Sequence, residues 1–157
     1  MLSKSPEESR DLGRKLGRTL SAGDVVALTG DLGSGKSVLA RGILEALGVE
    51  GDIPSPSFVI VASYRASFAV NHVDLYRLDD ASQAADIGLE DILYSDCISI
   101  VEWAERLGDM LPSAAIKVTI EPDGAPDDRL ISITADAPEI KARLGALATS
   151  LVRFGGR

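Results

Sequence analysis

Apolar positions follow a different rhythm in each stretch of the chain, and each rhythm predicts an element. Leu12, Leu16 and Leu20 recur every fourth residue, a narrow helical stripe. They follow Ser5-Pro6-Glu7-Glu8, which supplies a capping serine, a proline at the first helical position and a glutamate able to complete a capping box. Arg10, Arg14 and Arg18 lie on another face of that helix, expected to be solvated. Val25 to Thr29 is apolar and β-branched without polar alternation, as a strand buried on both faces requires. Leu39, Ile43 and Leu47 mark one face of a helix from about Lys36 to Leu47, with Gly48 as its stop.

Beyond that unit, the prolines of Ile53-Pro54-Ser55-Pro56-Ser57 predict a loop. Phe58 to Tyr64 and Phe68 to Val73 read as an antiparallel hairpin turning at Arg65 to Ser67. Ser82 to Leu93 is helical but interrupted at Gly88, and Cys97 to Val101 is an apolar strand ending at Glu102. Ile116 to Ile120 and Leu130 to Thr134 flank the turn-rich Pro122 to Asp128, a second hairpin, and a helix runs from Pro138 to about Leu151. A βα unit combined with hairpins predicts an α/β fold, a mixed β-sheet flanked by helices. The expectation is a single domain over residues 1–157, with a short flexible C-terminal tail from about 152 to 157.

Composition narrows the function. With 157 residues, 45% of them hydrophobic, the chain has material for one core. Cys97 is the lone cysteine and His72 the lone histidine, which excludes disulfide and structural zinc scaffolds. No apolar run approaches the ~18 residues of a membrane span, and Met1 to Arg18 is too charged for a signal-peptide core. A cytoplasmic protein with no membrane partner is expected. The net charge of -8 disfavours unaided binding to DNA or RNA, since phosphate neutralisation draws on surplus Lys and Arg.

Gly30-Asp31-Leu32-Gly33-Ser34-Gly35-Lys36-Ser37 satisfies G-x-x-x-x-G-K-[ST] and lies between the predicted buried strand and helix. Glycines let successive N–H groups turn inward around an anion, and the next helix presents its unpaired N–H groups. Asp31, Leu32, Gly33, Ser34, Gly35, Lys36, Ser37 and Val38 are therefore candidates for binding a nucleotide. Lys36 would neutralise β- and γ-phosphate charge, and the Ser37 hydroxyl would ligate Mg²⁺.

Such a loop needs a metal-side carboxylate on a neighbouring buried strand, and Ile98-Ser99-Ile100-Val101-Glu102 ends in a candidate, the alternative being a solvated strand-end carboxylate. Trp103, the only tryptophan, either shields or stacks on a ligand there or packs in the core. In His72-Val73-Asp74-Leu75-Tyr76-Arg77-Leu78, Asp74 is a candidate to hold the attacking water or the metal shell and Arg77 to act on phosphate. A cross-strand ion pair would give the same letters. His72 is assigned to structure or packing. Ser57, in the proline-constrained loop, is a candidate sensor of the γ-phosphate. The only asparagine is Asn71, followed by His72, so the Asn-Lys-x-Asp guanine reader of GTPases is missing. No arginine-bearing lid of the kind usual in small-molecule kinases stands out.

Together these blocks resemble the TsaE family, also called YjeE, small bacterial P-loop ATPases of tRNA threonylcarbamoyladenosine formation. The likeness runs through Asp11-Leu12-Gly13 with Leu16, Gly23-Asp24, the P-loop, Ser55-Pro56-Ser57-Phe58, His72 to Leu78, Gly88-Leu89-Glu90-Asp91, Val101-Glu102-Trp103 and Leu111-Pro112. It implies ATP and Mg²⁺ as cofactors and slow ATP hydrolysis. It also implies work with the TsaD and TsaB subunits, which themselves transfer the threonylcarbamoyl group, and contact with tRNA only through that complex. By matching position, Lys36, Asp74 and Glu102 take the catalytic roles, Ser37 and Glu102 the metal, and Ser57 and Trp103 join the P-loop in binding nucleotide. Ser37 and Ser57 stand where the family usually has threonine, which keeps the hydroxyl. Ala104 stands where a proline often follows the tryptophan. The alternatives are a P-loop small-molecule kinase and a non-catalytic, nucleotide-gated binding module.

Overall fold

A computed structural model describes residues 1–54, 56 and 60–152. In chain order the strands are β1 (Leu2–Ser3), β2 (Val25–Thr29), β3 (Val61–Arg65), β4 (Ala69–Asp74), β5 (Ile98–Glu102), β6 (Ile116–Pro122) and β7 (Arg129–Thr134). The helices are α1 (Pro6–Gly17), α2 (Lys36–Ala46), α3 (Ala81–Asp86), α4 (Leu89–Leu93) and α5 (Pro138–Val152), with a 3-10 segment at Ala104–Met110. The strands form one seven-stranded sheet in the order β1-β7-β6-β2-β5-β4-β3. Its centre is parallel, β2 pairing with both β5 and β6 and β5 with β4, while β3/β4 and β6/β7 are antiparallel hairpins.

The unbroken apolar run of β2 follows from this position. Val26 and Leu28 face a core shared with Leu12 and Leu16 of α1, Leu39 and Ile43 of α2 and Leu147 of α5. Val25 and Ala27 face a second core with Leu89 and Leu93 of α4 and Leu107 of the 3-10 segment. A strand lined on both faces by helices has no solvent side on which polar residues could alternate.

The hairpin strands and the interruption at Gly88 lie where the sequence places them, with β3 described from Val61 onward. Phe58, Ser57 and the tail at 153–157 lie outside the described residues. Two elements go unannounced, the edge strand β1 and the 3-10 segment, both too short to show a period. At the start of α1, Ser5 Oγ accepts from the Glu8 N–H, but the Glu8 carboxylate takes the Lys4 N–H rather than that of Ser5.

The arginine face of α1 corrects a sequence expectation. Arg10 and Arg14 are not simply solvated; both reach Glu45 on α2, Arg14 through Nε at 2.9 Å. They do so because α1 and α2 approach closely enough that a Cβ on Gly13 would lie 2.3 Å from the Leu39 carbonyl oxygen, and one on Gly42 2.1 Å from that of Arg10. Facing glycines let the two backbones touch, and the long side chains close over the seam.

Candidate functional site

The P-loop joins the end of β2 to the start of α2 and turns through Gly35 at φ 104°, a left-handed conformation that disfavours any side chain. The resulting cleft, about 480 Å³, is lined from this side by Leu32, Gly33, Gly35, Lys36, Ser37 and Val38. The end of β4 adds Asp74, Tyr76 and Arg77, and the end of β5 adds Glu102 and Trp103. Of the predicted cradle, Asp31 and Ser34 do not line the cleft. Ser34 is turned inward, 3% exposed, with its Oγ 3.5 Å from Lys36 Nζ. Ser57 lies outside the described residues.

Lys36 is 4% exposed. Its ammonium donates to the carbonyl oxygens of Gly30 (2.6 Å) and Asp31 (2.9 Å) and stands 4.0 Å from the centroid of the Trp103 ring. Burial lowers its pKa from the ordinary lysine value, against the opposing pull of Glu102, Glu105, Asp74 and Asp31. Trp103 adopts φ 60°, a left-handed backbone that turns the chain at the end of β5. Its ring lies 5.2 Å from Tyr76 and 5.4 Å from the Arg106 guanidinium. The indole is thus neither simply core nor simply surface; it forms a wall of the cleft.

The carboxylates meet through strand register. Asp74 and Glu102 are Cα partners at the ends of parallel strands β4 and β5. Both are buried, at 4% and 2% exposure. Asp74 Oδ1 accepts the Tyr76 N–H at 3.0 Å. Glu102 Oε2 accepts the Ser37 hydroxyl at 2.8 Å, and Oε1 lies 2.8 Å from His72 Nε2.

Two residues escape the sequence reading. His72, which the sequence assigns to structure or packing, bonds the Glu102 carboxylate, a contact the sequence reading does not name. Its sequence signal was the two-residue spacing to Asp74, which puts both on one face of β4. Arg129 begins β7, and its Nε donates to the Ser34 carbonyl (2.9 Å) and its Nη2 to that of Gly33 (3.3 Å), bracing the P-loop from behind. Nothing local in the sequence points to a contact across 95 residues.

Among the described residues no group of three or more His, Cys, Asp or Glu is arranged to hold a metal unaided. The Ser37 hydroxyl with the Glu102 carboxylate does fit Mg²⁺, a hard cation usually held by one or two protein oxygens together with substrate phosphates. No helix among the described residues is long and apolar enough to cross a membrane.

The sequence profile of the family described as "Threonylcarbamoyl adenosine biosynthesis protein TsaE" matches residues 3–131. The chain is 33% identical over 132 residues to the tRNA threonylcarbamoyladenosine biosynthesis protein TsaE of Bacillus subtilis, covering 83% of this chain and 82% of that protein. It is 41% identical over 133 residues to the protein of the same name from Mycobacterium bovis, covering 79% of each. The crystal structure of YdiB from Bacillus subtilis superposes with a TM-score of 0.82 at 26% identity, covering 96% of this chain and 93% of that one.

Proposed function

The chain belongs to the TsaE family, and from that premise we propose that it binds ATP with Mg²⁺ in the P-loop cleft and hydrolyses it slowly. In this reading its nucleotide cycle supports the TsaD and TsaB subunits in forming threonylcarbamoyladenosine on tRNA in the cytoplasm. The observation that carries the reading is a pair in the cleft, the exposed Ser37 hydroxyl on Oε2 of the buried Glu102 carboxylate at 2.8 Å. A hydroxyl and a carboxylate brought together beside a P-loop lysine have a clear use in phosphoryl chemistry.

Lys36 leaves the Gly30 and Asp31 carbonyls and takes up γ-phosphate charge. The P-loop N–H groups and the start of α2 cradle the β-phosphate. Ser37 and Glu102 would hold Mg²⁺, which would supply positive charge to offset the charge that develops on the phosphates. Asp74, the neighbour of Glu102 across the parallel strands and part of the cleft lining, takes the orienting of water for in-line attack on the γ-phosphorus in this reading. Trp103 and Tyr76 cover the phosphate end and exclude bulk water. Leu32, 75% exposed at the loop tip, and Tyr76, 46% exposed, give the cleft an apolar rim suited to contact with a partner subunit. The acidic chain leaves tRNA to the partners' surfaces.

The test is ATP hydrolysis by the wild type, Lys36→Ala and Glu102→Ala, each alone and with TsaD and TsaB, with tRNA modification followed in the same reactions. Partners are expected to raise wild-type turnover and sustain modification, and both variants to lose them. Modification that proceeds without this protein overturns the reading, and phosphate acceptance by an added metabolite would favour the kinase alternative.

A further inference from the structure

His72 has no part in the chemistry above, yet it is buried to 2% exposure in β4, with its backbone paired to Ala62 of β3 and Ile100 of β5. Its Nε2 sits on Glu102 Oε1, while its Nδ1 is buried with no hydrogen-bond partner among the described residues. A side chain chosen only to fill space would not leave a polar nitrogen unsatisfied, because that costs stability an apolar residue would keep. The bond to Glu102 is what offsets the cost. It also sets the direction of the bond: a carboxylate only accepts, so Nε2 carries a proton and donates it.

We infer that His72 is a positioning residue that locks the Glu102 carboxylate from behind, so that the Ser37 hydroxyl presents its lone pairs to the metal side of the cleft. This rests on the Mg²⁺–nucleotide reading proposed above. The three groups form one string. His72 Nε2–H holds Oε1, which sets the plane of the carboxylate. Oε2 then takes the Ser37 proton at 2.8 Å, and with its proton committed backwards, Ser37 has only lone pairs to offer forward. Neither end of the string can drift, since His72 is pinned between two strands and Ser37 lies in the first turn of α2. Without His72, Oε1 is a buried carboxylate oxygen with no described donor. The group then rotates towards the cleft, and the Ser37 hydroxyl loses its acceptor. Outer partners of this kind orient metal-side ligands and typically change metal affinity by about 10- to 100-fold when removed.

The experiment is calorimetric binding of ADP to the full-length protein across a Mg²⁺ titration and in its absence, for wild type, His72→Leu, His72→Gln, Glu102→Gln and the double variant His72→Leu/Glu102→Gln. His72→Leu is expected to raise the Mg²⁺ concentration at half-effect roughly 10-fold or more while leaving Mg²⁺-free ADP affinity unchanged. His72→Gln, which keeps an amide donor on a side chain of similar reach, is expected to recover most of the loss. His72→Leu added to Glu102→Gln should bring no further loss. If His72→Leu does not fold, His72→Asn, whose amide ends short of Glu102, replaces it. A wild-type Mg²⁺ titration in His72→Leu, or an equal loss of Mg²⁺-free ADP binding, overturns the assignment and leaves His72 a packing residue. A wild-type protein whose ADP binding ignores Mg²⁺ overturns the metal-site reading itself and this assignment with it.

Discussion

The ammonium of Lys36 rests 4.0 Å above the centre of the Trp103 ring while bonding the carbonyl oxygens of Gly30 and Asp31. The lysine is parked on its own loop and on the face of an indole, an arrangement in which the cation–π contact is worth about 0.5–2 kcal/mol. Under the proposed ATP binding, phosphate in the cleft would compete for the same ammonium. Because Trp103 is the only tryptophan, its emission should change saturably as ATP is added to the wild type and stay flat with Lys36→Ala. A saturable change of equal size in Lys36→Ala would mean that the signal does not come from moving the lysine off the ring.

Ser37→Ala and Ser37→Thr should part company. Alanine leaves Glu102 Oε2 buried without the Ser37 donor, which should cost about 1–3 kcal/mol in unfolding free energy and remove the Mg²⁺ dependence of ADP binding. Threonine retains the hydroxyl and should keep both. Urea denaturation and calorimetry read the two effects, and an alanine variant as stable as the threonine variant would contradict the geometry.

Two glycines in helices should respond to alanine with opposite signs. Gly42→Ala places a methyl 2.1 Å from the backbone oxygen of Arg10, an atom that cannot move without separating α1 from α2, and should destabilise by about 1–3 kcal/mol. Gly145→Ala, in α5 with open space around it, should stabilise by about 0.5–1 kcal/mol, the helix-propensity gain. Urea midpoints at constant slope check both.

Glu45 gives a pH-dependent contribution of known sign. The hydrogen bond from Arg10 is the largest of the influences that lower its folded-state pKa from the ordinary 4.5, with Arg14 adding to it. A depressed carboxylate contributes stability above its unfolded pKa and loses it as pH falls through the folded value. The stability gap between wild type and Glu45→Gln should therefore be full at neutral pH and shrink below about 4.5. A gap that widens on acidification would contradict the assignment.

Local features of the sequence carried local structure. Ser5-Pro6 opened α1, the apolar run Val25 to Thr29 was a doubly covered strand, and Gly88 broke the helical stretch between α3 and α4, each because propensity, capping and burial act over a few residues. The P-loop was legible for the same reason, since its backbone turn, helix start, lysine and hydroxyl are consecutive. Glu102 was legible as a carboxylate closing a buried strand.

Tertiary structure decided what lies across the sheet. Sequence spacing does not encode parallel register, which is set by the packing of helices on both faces. That register makes Asp74 and Glu102 neighbours and delivers His72 to a carboxylate 30 residues away. Close contact of α1 with α2 turned a solvated-looking arginine face into a clasp on Glu45, and Arg129 reached the P-loop only because the β6/β7 hairpin lies beside β2. The sequence by itself determined which groups stand at the phosphate loop; only the folded sheet decided which groups stand behind them, because long-range contacts follow from how buried faces fit together rather than from the order of residues.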